Sequence, residues 1–267
     1  MPKTLLVPLD GTPCSERALP VAEQLADRLD ADTVVITADL GDADVAPGPY
    51  ERRDVLAVPG HSVRGEVVRS LTVPDAVRAI ADDSNDPAVC MATHARSMLG
   101  HALFGSVAEE IVRGLAVPAV LVGPASDTTL GASGPLLVCH DGSMASDAIV
   151  PVARDWAHAL RTNIVLAHVF HPLDVETAVD PEAVVGEAEA RLAADIEVEL
   201  RVVRGYSPAG TIVALVDDLE PTLVALATHG RTGMARAALG RVAMAVVRRS
   251  RCPALVVRPD VAASVSQ

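Results

Sequence analysis

Aromatic residues make up only 2% of this 267-residue chain, and Lys3 is its single lysine. The first shortage leaves little to stack on nucleobases, and a net charge of −13 opposes phosphate backbones and anionic membranes. Nucleic acid and membrane are therefore not expected partners. The second shortage removes the Gly-x-x-x-x-Gly-Lys phosphate loop and lysine Schiff-base chemistry beyond the terminal residue. Any phosphate must be held by backbone N–H groups, hydroxyls or arginine. Long apolar runs are missing too: none approaches the ~20 residues that span a bilayer, and Met1-Pro-Lys-Thr leads straight into a strand-like segment without a leader. The expected compartment is the cytoplasm. Cys14, Cys90, Cys139 and Cys252 lie far apart, in or beside apolar runs and without the paired spacing of a zinc or redox site. They read as small buried hydrophobes in a reducing compartment.

What is present is repeated. The hydrophobic share is 50%, resting on Ala, Val and Leu, so the layers are expected to pack through small and branched aliphatics. Leu223 to Gly240, an apolar run, a polar His-Gly-Arg turn, a loop and a glycine before a helix, has a counterpart from Val89 to Gly105, 135 residues earlier (Gly105 to Gly240). A repeat of about half the length predicts two domains, each large enough for its own core. The expected bounds are 1–125 and 135–260, with the Ser-, Thr-, Gly- and Asp-rich 126–134 as linker and 261–267 as a tail.

Thr4 to Leu9 reads as a strand buried on both faces that stops at Asp10-Gly11, with Pro8 in its last positions. Thr12-Pro13 then reads as a helix N-cap and first position, followed by a stripe at Ala18, Val21, Ala22, Leu25 and Leu29. The same stripe returns 131 residues on (Ala18 to Ile149), with Trp156 in place of Leu25 and therefore a core residue. Second strands are expected at 33–38 and 163–169, third at 65–71 and 197–203, and last at 119–122 and 254–257. Helices are introduced by Pro74 and Pro208, and others run over 105–114 and 240–250. The halves diverge in between: 181–195 has helical spacing, whereas 41–60 is too rich in proline and glycine and predicts a loop or a shortened crossover. Alternating strands and helices imply doubly wound parallel sheets with right-handed crossovers.

In such a sheet the ligand crevice lies past the carboxyl ends of the strands, where the winding reverses. Asp10 with the 91–106 loop, and Asp141 with the 226–241 loop, are expected to converge there. The helix starts after Gly105 and Gly240 carry partial positive charge suited to phosphate. His94 and His229 occupy equivalent loop positions without partners at ligand spacing, and read as solvated or turn-stabilising residues. No catalytic triad and no metal site is visible.

Val7-Pro-Leu-Asp10-Gly-Thr, Val138-Cys-His-Asp141-Gly-Ser, Ala-His-Val169, Ala227-Thr-His-Gly-Arg231, Leu103-Phe-Gly-Ser-Val-Ala-Glu-Glu and Cys252-Pro-Ala-Leu-Val-Val-Arg together resemble the signatures of a tandem universal stress protein, across almost all of both halves. The resemblance implies a flavodoxin/Rossmann-like five-stranded parallel sheet in each half, order 3-2-1-4-5. Some members of that family bind ATP, and the binders resemble one another in a Gly-x-x-Gly, nine residues, Gly-Ser/Thr pattern. Carried over, this pattern is incomplete twice. In the first half Ala92 and Ala95 take the early glycine positions and Ala38 that of the adenine-contacting valine, while Gly105 and Ser106, followed by Val107, match. In the second half Ala227 replaces the first glycine and Arg241 the hydroxyl residue, followed by Val242, while Val169, Gly230 and Gly240 match. Asp10 and Asp141 match the acidic residue beside the nucleoside.

The resemblance thus implies a stress-response regulator binding ATP, with or without magnesium, and pairing through its fifth strands as a homodimer or within the chain. The alternatives are a nucleotide-free interaction module, with no cofactor and vestigial pockets, and slow ATP hydrolysis.

Overall fold

The computed structural model describes residues 1–39, 52–57, 64–69, 72–93, 106–114, 117–131, 133–172, 180–228 and 240–259. They fall into two compact units that divide between Val122 and Gly123.

In the first unit β1 (Thr4–Pro8) is buried along its whole length. It pairs in parallel with β2 (Asp32–Asp39) on one side and β5 (Pro87–Ala92) on the other. Beyond them, β2 pairs with β4 (Arg64–Arg69) and β5 with β6 (Ala119–Val122), again in parallel. Pro8 is the last residue of β1, where a missing donor is tolerated. A strand absent from the sequence reading, β3 (Arg52–Ala57), runs antiparallel to β4 with a register shift between Arg53 and Leu56. It lies in the 41–60 stretch where a loop or shortened crossover was expected. Among the described residues this half therefore shows six strands where five were expected. Its proline and glycine residues bar a helix but flank residues 52–57, which contain neither and can extend along a sheet edge.

Helix α1 (Ala18–Leu29) begins later than Thr12-Pro13 suggested, after a single 3-10 turn at Ser15–Arg17. Thr12 is drawn into the turn behind Asp10, where its hydroxyl accepts the Ser15 N–H at 3.2 Å at the start of the 3-10 turn, while α1 itself has no side-chain cap. The expected stripe of Ala18, Val21, Ala22, Leu25 and Leu29 is buried against the sheet. Helix α2 (Val73–Asp82) starts as its sequence indicates: Thr72 Oγ1 accepts the Asp75 N–H at 3.2 Å, with Pro74 in the first turn. Helix α3 (Ser106–Gly114) follows β5.

The second unit repeats the plan. Its strands β7 (Leu136–Cys139), β8 (Ile164–Phe170), β9 (Val198–Arg204), β10 (Leu223–Ala227) and β11 (Ala254–Val257) pair in parallel as β9-β8-β7-β10-β11. Helices α4 (Ile149–Leu160), α5 (Gly186–Leu192), α6 (Pro208–Leu219) and α7 (Arg241–Arg249) connect or flank them. Trp156 is 1% exposed, a core residue as its place on the stripe predicts. The helix expected over 181–195 contracts to α5, with turns through 181–185 before it.

The stretch read as a linker packs on the second unit. Ser126 and Leu130 are buried, Ser126 Oγ donates to the Ser250 carbonyl at 3.2 Å, and the Asp127 N–H to that of Arg251 at 2.7 Å. It also walls a cleft of about 300 Å3 with Glu220, Pro221, Arg251 and Cys252. That cleft lies at the amino ends of β10 and β11, the pole opposite the expected crevice.

Candidate functional site

The two aspartates stand where strand order turns. Asp10 follows β1 between β2 and β5, and Asp141 follows β7 between β8 and β10. Each opens the same turn. Asp10 Oδ1 accepts the Thr12 N–H at 3.0 Å and its hydroxyl at 2.6 Å; Asp141 Oδ1 accepts the Ser143 N–H at 3.0 Å and its hydroxyl at 2.5 Å. Ser15 Oγ then donates to the Thr12 carbonyl, and Ser146 Oγ to that of Ser143, both at 2.8 Å. Short polar side chains that bond to nearby backbone make such a turn self-supporting. Gly11 and Gly142 supply its left-handed residue, with φ of +73° and +80°.

Around these turns the predicted residues sort by strand. Ala38 lies in β2 and Val169 in β8, near their carboxyl ends; Ala92 is the last residue of β5 and Ala227 of β10. Neither Ala92 nor Ala227 has positive φ, so alanine replaces the pattern's first glycine there without backbone strain. Ser106 and Val107 open α3, and Arg241 and Val242 open α7 with both side chains exposed. Gly240 caps α7 in extended conformation with no side-chain cap, and its N–H donates to the Thr228 carbonyl. Thr228 is buried and is anchored by its own N–H to the Val257 carbonyl at 2.9 Å, so this bond ties the helix start to the end of the sheet. First-turn N–H groups of such a helix point out along its axis. His94, Ala95, Gly105, His229 and Gly230 lie outside the described residues.

The second unit adds groups that the sequence reading passed over. His140 is 5% exposed and fills the inside of the Asp141 turn. Its Nδ1 accepts the Gly142 N–H at 3.1 Å, so the ring proton sits on Nε2 and is given to Asp147 Oδ1, also at 3.1 Å. Arg191 of α5 donates to the same Asp147 oxygen at 3.5 Å. His168 of β8 is also buried, and its Nδ1–H donates to the His140 carbonyl at 2.9 Å. Burial lowers the pKa of His140 and outweighs the opposing pull of Asp147 and Asp141. The signal was present in the repeat: at the 131-residue offset Leu9, Glu16 and Thr37 stand where the second half has His140, Asp147 and His168.

Rings gather at the carboxyl rim of β8 and β9. His171 and Tyr206 meet edge to face with centroids 5.4 Å apart, and the Arg204 guanidinium lies 5.8 Å from the Phe170 ring centre. Tyr206 is 78% exposed in a chain almost without aromatics. Gly205 lies against Val169: a Cβ there would come within 3.2 Å of Val169 Cγ1. Among the described residues no group of His, Cys, Asp and Glu is arranged to hold a metal, and no helix is long and apolar enough to cross a membrane.

Comparison with known proteins agrees with this architecture. The model of the universal stress protein family matches the chain twice, over residues 1–123 and 133–258. A universal stress protein of Mycobacterium tuberculosis is 30% identical over 211 residues, 74% of this chain and 69% of that protein, and one of Mycobacterium bovis gives the same figures. A solved universal stress protein from Archaeoglobus fulgidus is similar with a TM-score of 0.64 at 18% identity, covering 96% of this chain and 98% of that one. At such identity the structural likeness speaks for the fold.

Proposed function

This chain belongs to the universal stress protein family, and from that premise we propose that it is a stress-response regulator that binds adenine nucleotide, ATP foremost, at the carboxyl ends of its strands. The observation that carries the reading is the twofold occurrence of one turn, Asp10-Gly11-Thr12 and Asp141-Gly142-Ser143, at the point in each sheet where strand order reverses. In the second half the nucleoside lies on Val169 beside Asp141, and the phosphates reach the start of α7, where backbone N–H groups and the Arg241 side chain offset their charge. In the first half the start of α3 at Ser106 supplies the phosphate end, and β2 carries Ala38 at the position that Val169 holds in β8. Equilibrium titration with labelled ATP tests this: saturable binding weakened by Asp141→Ala is expected, and no saturable binding by the unmodified chain overturns it.

A second reading, a nucleotide-free interaction module, is favoured by one observation. Val184 crowds Gly142, so that a Cβ on Gly142 would collide with its Cγ1, and the second turn is covered from the α5 side. Extraction of the purified chain separates the readings, since co-purified ATP excludes the second. Slow hydrolysis is a further possibility that phosphate release at saturating ATP would detect. We also propose pairing through the last strand of each half, β6 and β11, within the chain or between two chains, because a strand edge invites a partner strand. Sedimentation at several concentrations distinguishes monomer from dimer.

A further inference from the structure

We propose that His140 is the positioning residue of the second-half turn: its unprotonated Nδ1 holds the Gly142 N–H, and protonation opens the turn from Asp141 to Ser146. The argument is one of donors and acceptors. The Gly142 N–H can only donate, so Nδ1 must carry a lone pair for the 3.1 Å bond to exist. The other ring nitrogen is committed to Asp147 at the far end of the turn, where the 3-10 turn Ser146–Ala148 begins the path into α4. One imidazole therefore clips both ends of the loop that carries Asp141. A proton added at Nδ1 places two donors face to face 3.1 Å apart, and the Gly142 amide or the ring must move.

The charged and titratable groups facing His140 come from its own turn, from the adjacent strand and from the packed helix. Asp141 and Asp147 favour the imidazolium, His168 of β8 opposes it, and Arg191 of α5 competes for the Asp147 oxygen. Enclosure of the ring decides the balance towards the neutral form, so the clip is closed at neutral pH and opens on acidification below the ordinary imidazole range near 6.5. In the first half Leu9 occupies the equivalent position and cannot titrate. The imidazole clip therefore belongs to the second turn. That its opening also releases nucleotide there rests on the function proposed above; the clip itself does not.

The test uses the full chain, labelled with 15N and without nucleotide. Long-range 1H–15N spectra should show the Nε2–H tautomer for His140 and Nδ1–H for His168 near pH 7.5. The Gly142 amide signal should then shift with the midpoint of the His140 ring, below 6.5, while the Gly11 amide stays in place. An Nδ1–H tautomer at His140, or a Gly142 amide indifferent to its titration, overturns the proposal. His140→Asn keeps an acceptor near the Nδ1 position and cannot titrate, so it should retain the Gly142 signal and lose its pH response; persistence of the response also overturns the clip. ATP titration adds the functional arm, with an affinity loss of about threefold to fivefold from pH 7.5 to 5.5, the equivalent of about one pKa unit between bound and unbound chain with both midpoints at or below 6.5. If no ATP binds at either pH while Gly142 still follows His140, the nucleotide reading fails and the clip stands.

Discussion

The two turns share a backbone and differ in what supports them. Behind Asp10, among the described residues, Thr12 and Ser15 hydrogen-bond to each other across the turn, and no described atom lies within 4 Å of a Cβ placed on Gly11. Behind Asp141 the equivalent Ser143–Ser146 network is backed by His140 on one side, Val184 on another and Arg191 of α5 through Asp147. A duplicated turn can thus keep its hydrogen-bond geometry while the second copy gains a titratable ring on one side and a crowding side chain on the other. The turn is fixed by residues two to five positions apart, whereas its surroundings come from segments far along the chain.

The strongest blow to this comparison falls on the cores. Trp156→Ala removes a fully buried ring from the second unit and should cost about 3–5 kcal/mol, against about 2–5 kcal/mol for Leu25→Ala at the equivalent place in the first. Because Trp156 is the only tryptophan, its fluorescence follows the second unit. If the units melt separately in denaturant, Leu25→Ala moves the circular-dichroism transition of the first and leaves the fluorescence transition in place; a common shift shows one cooperative body.

Next come the glycines. Either alanine substitution places a side chain at positive φ, worth roughly 1–2 kcal/mol, but Gly142→Ala must also displace Val184, while Gly11→Ala meets no atom of the described residues within 4 Å. Thermal melts should rank Gly142→Ala as clearly the more damaging, and equal losses would mean that Val184 yields freely.

The pH response distinguishes the halves more gently. The folded-state pKa of His140 lies below its unfolded value, so between the two the unfolded chain binds the extra proton. This group's contribution to stability is therefore intact above the ordinary imidazole value and falls as pH drops towards the folded-state pKa. Replacing His140 with the first half's leucine should flatten denaturation midpoints measured from pH 8 to 5. An unchanged slope would assign the acid response to other groups.

Smallest in energy is the thiol pattern. Burial pushes Cys90, Cys139 and Cys252 up to about 12, whereas Cys14, beside the first turn, is half-exposed and has alanine as its counterpart in the second. Alkylation of the native chain at pH 8 should modify Cys14 alone by mass spectrometry, and labelling at Cys139 would show that the second unit opens. The sequence expectation of buried cysteine holds for three of the four.

Much of the architecture was legible because it is periodic. The stripes of α1 and α4, the apolar runs of β1, β5, β7 and β10, and the Asp-Gly stops after the first strands rely on local residue types repeated at a fixed offset. Features built by contact between distant segments were not. Arg52–Ala57 forms a strand only because β4 offers it an edge, and the 126–134 stretch, polar enough to read as a linker, is held by carbonyls of Ser250 and Arg251 more than a hundred residues away. At the candidate site, the Asp-Gly turns were legible from local sequence, whereas nothing in it singled out His140. Its partner at Asp147 and the α5 arginine behind it become apparent only when the chain is folded.

By itself the sequence determined the duplication, the alternation of strand and helix, and the identity of the turn that ends each first strand. These follow from periodicity and from side chains that bond their immediate neighbours. Tertiary structure decided that the two turns are not equivalent. Burial sets the charge state of His140, and packing from α5 and Val184 determines how far the second turn can open, because desolvation and steric contact depend on what surrounds a residue in space.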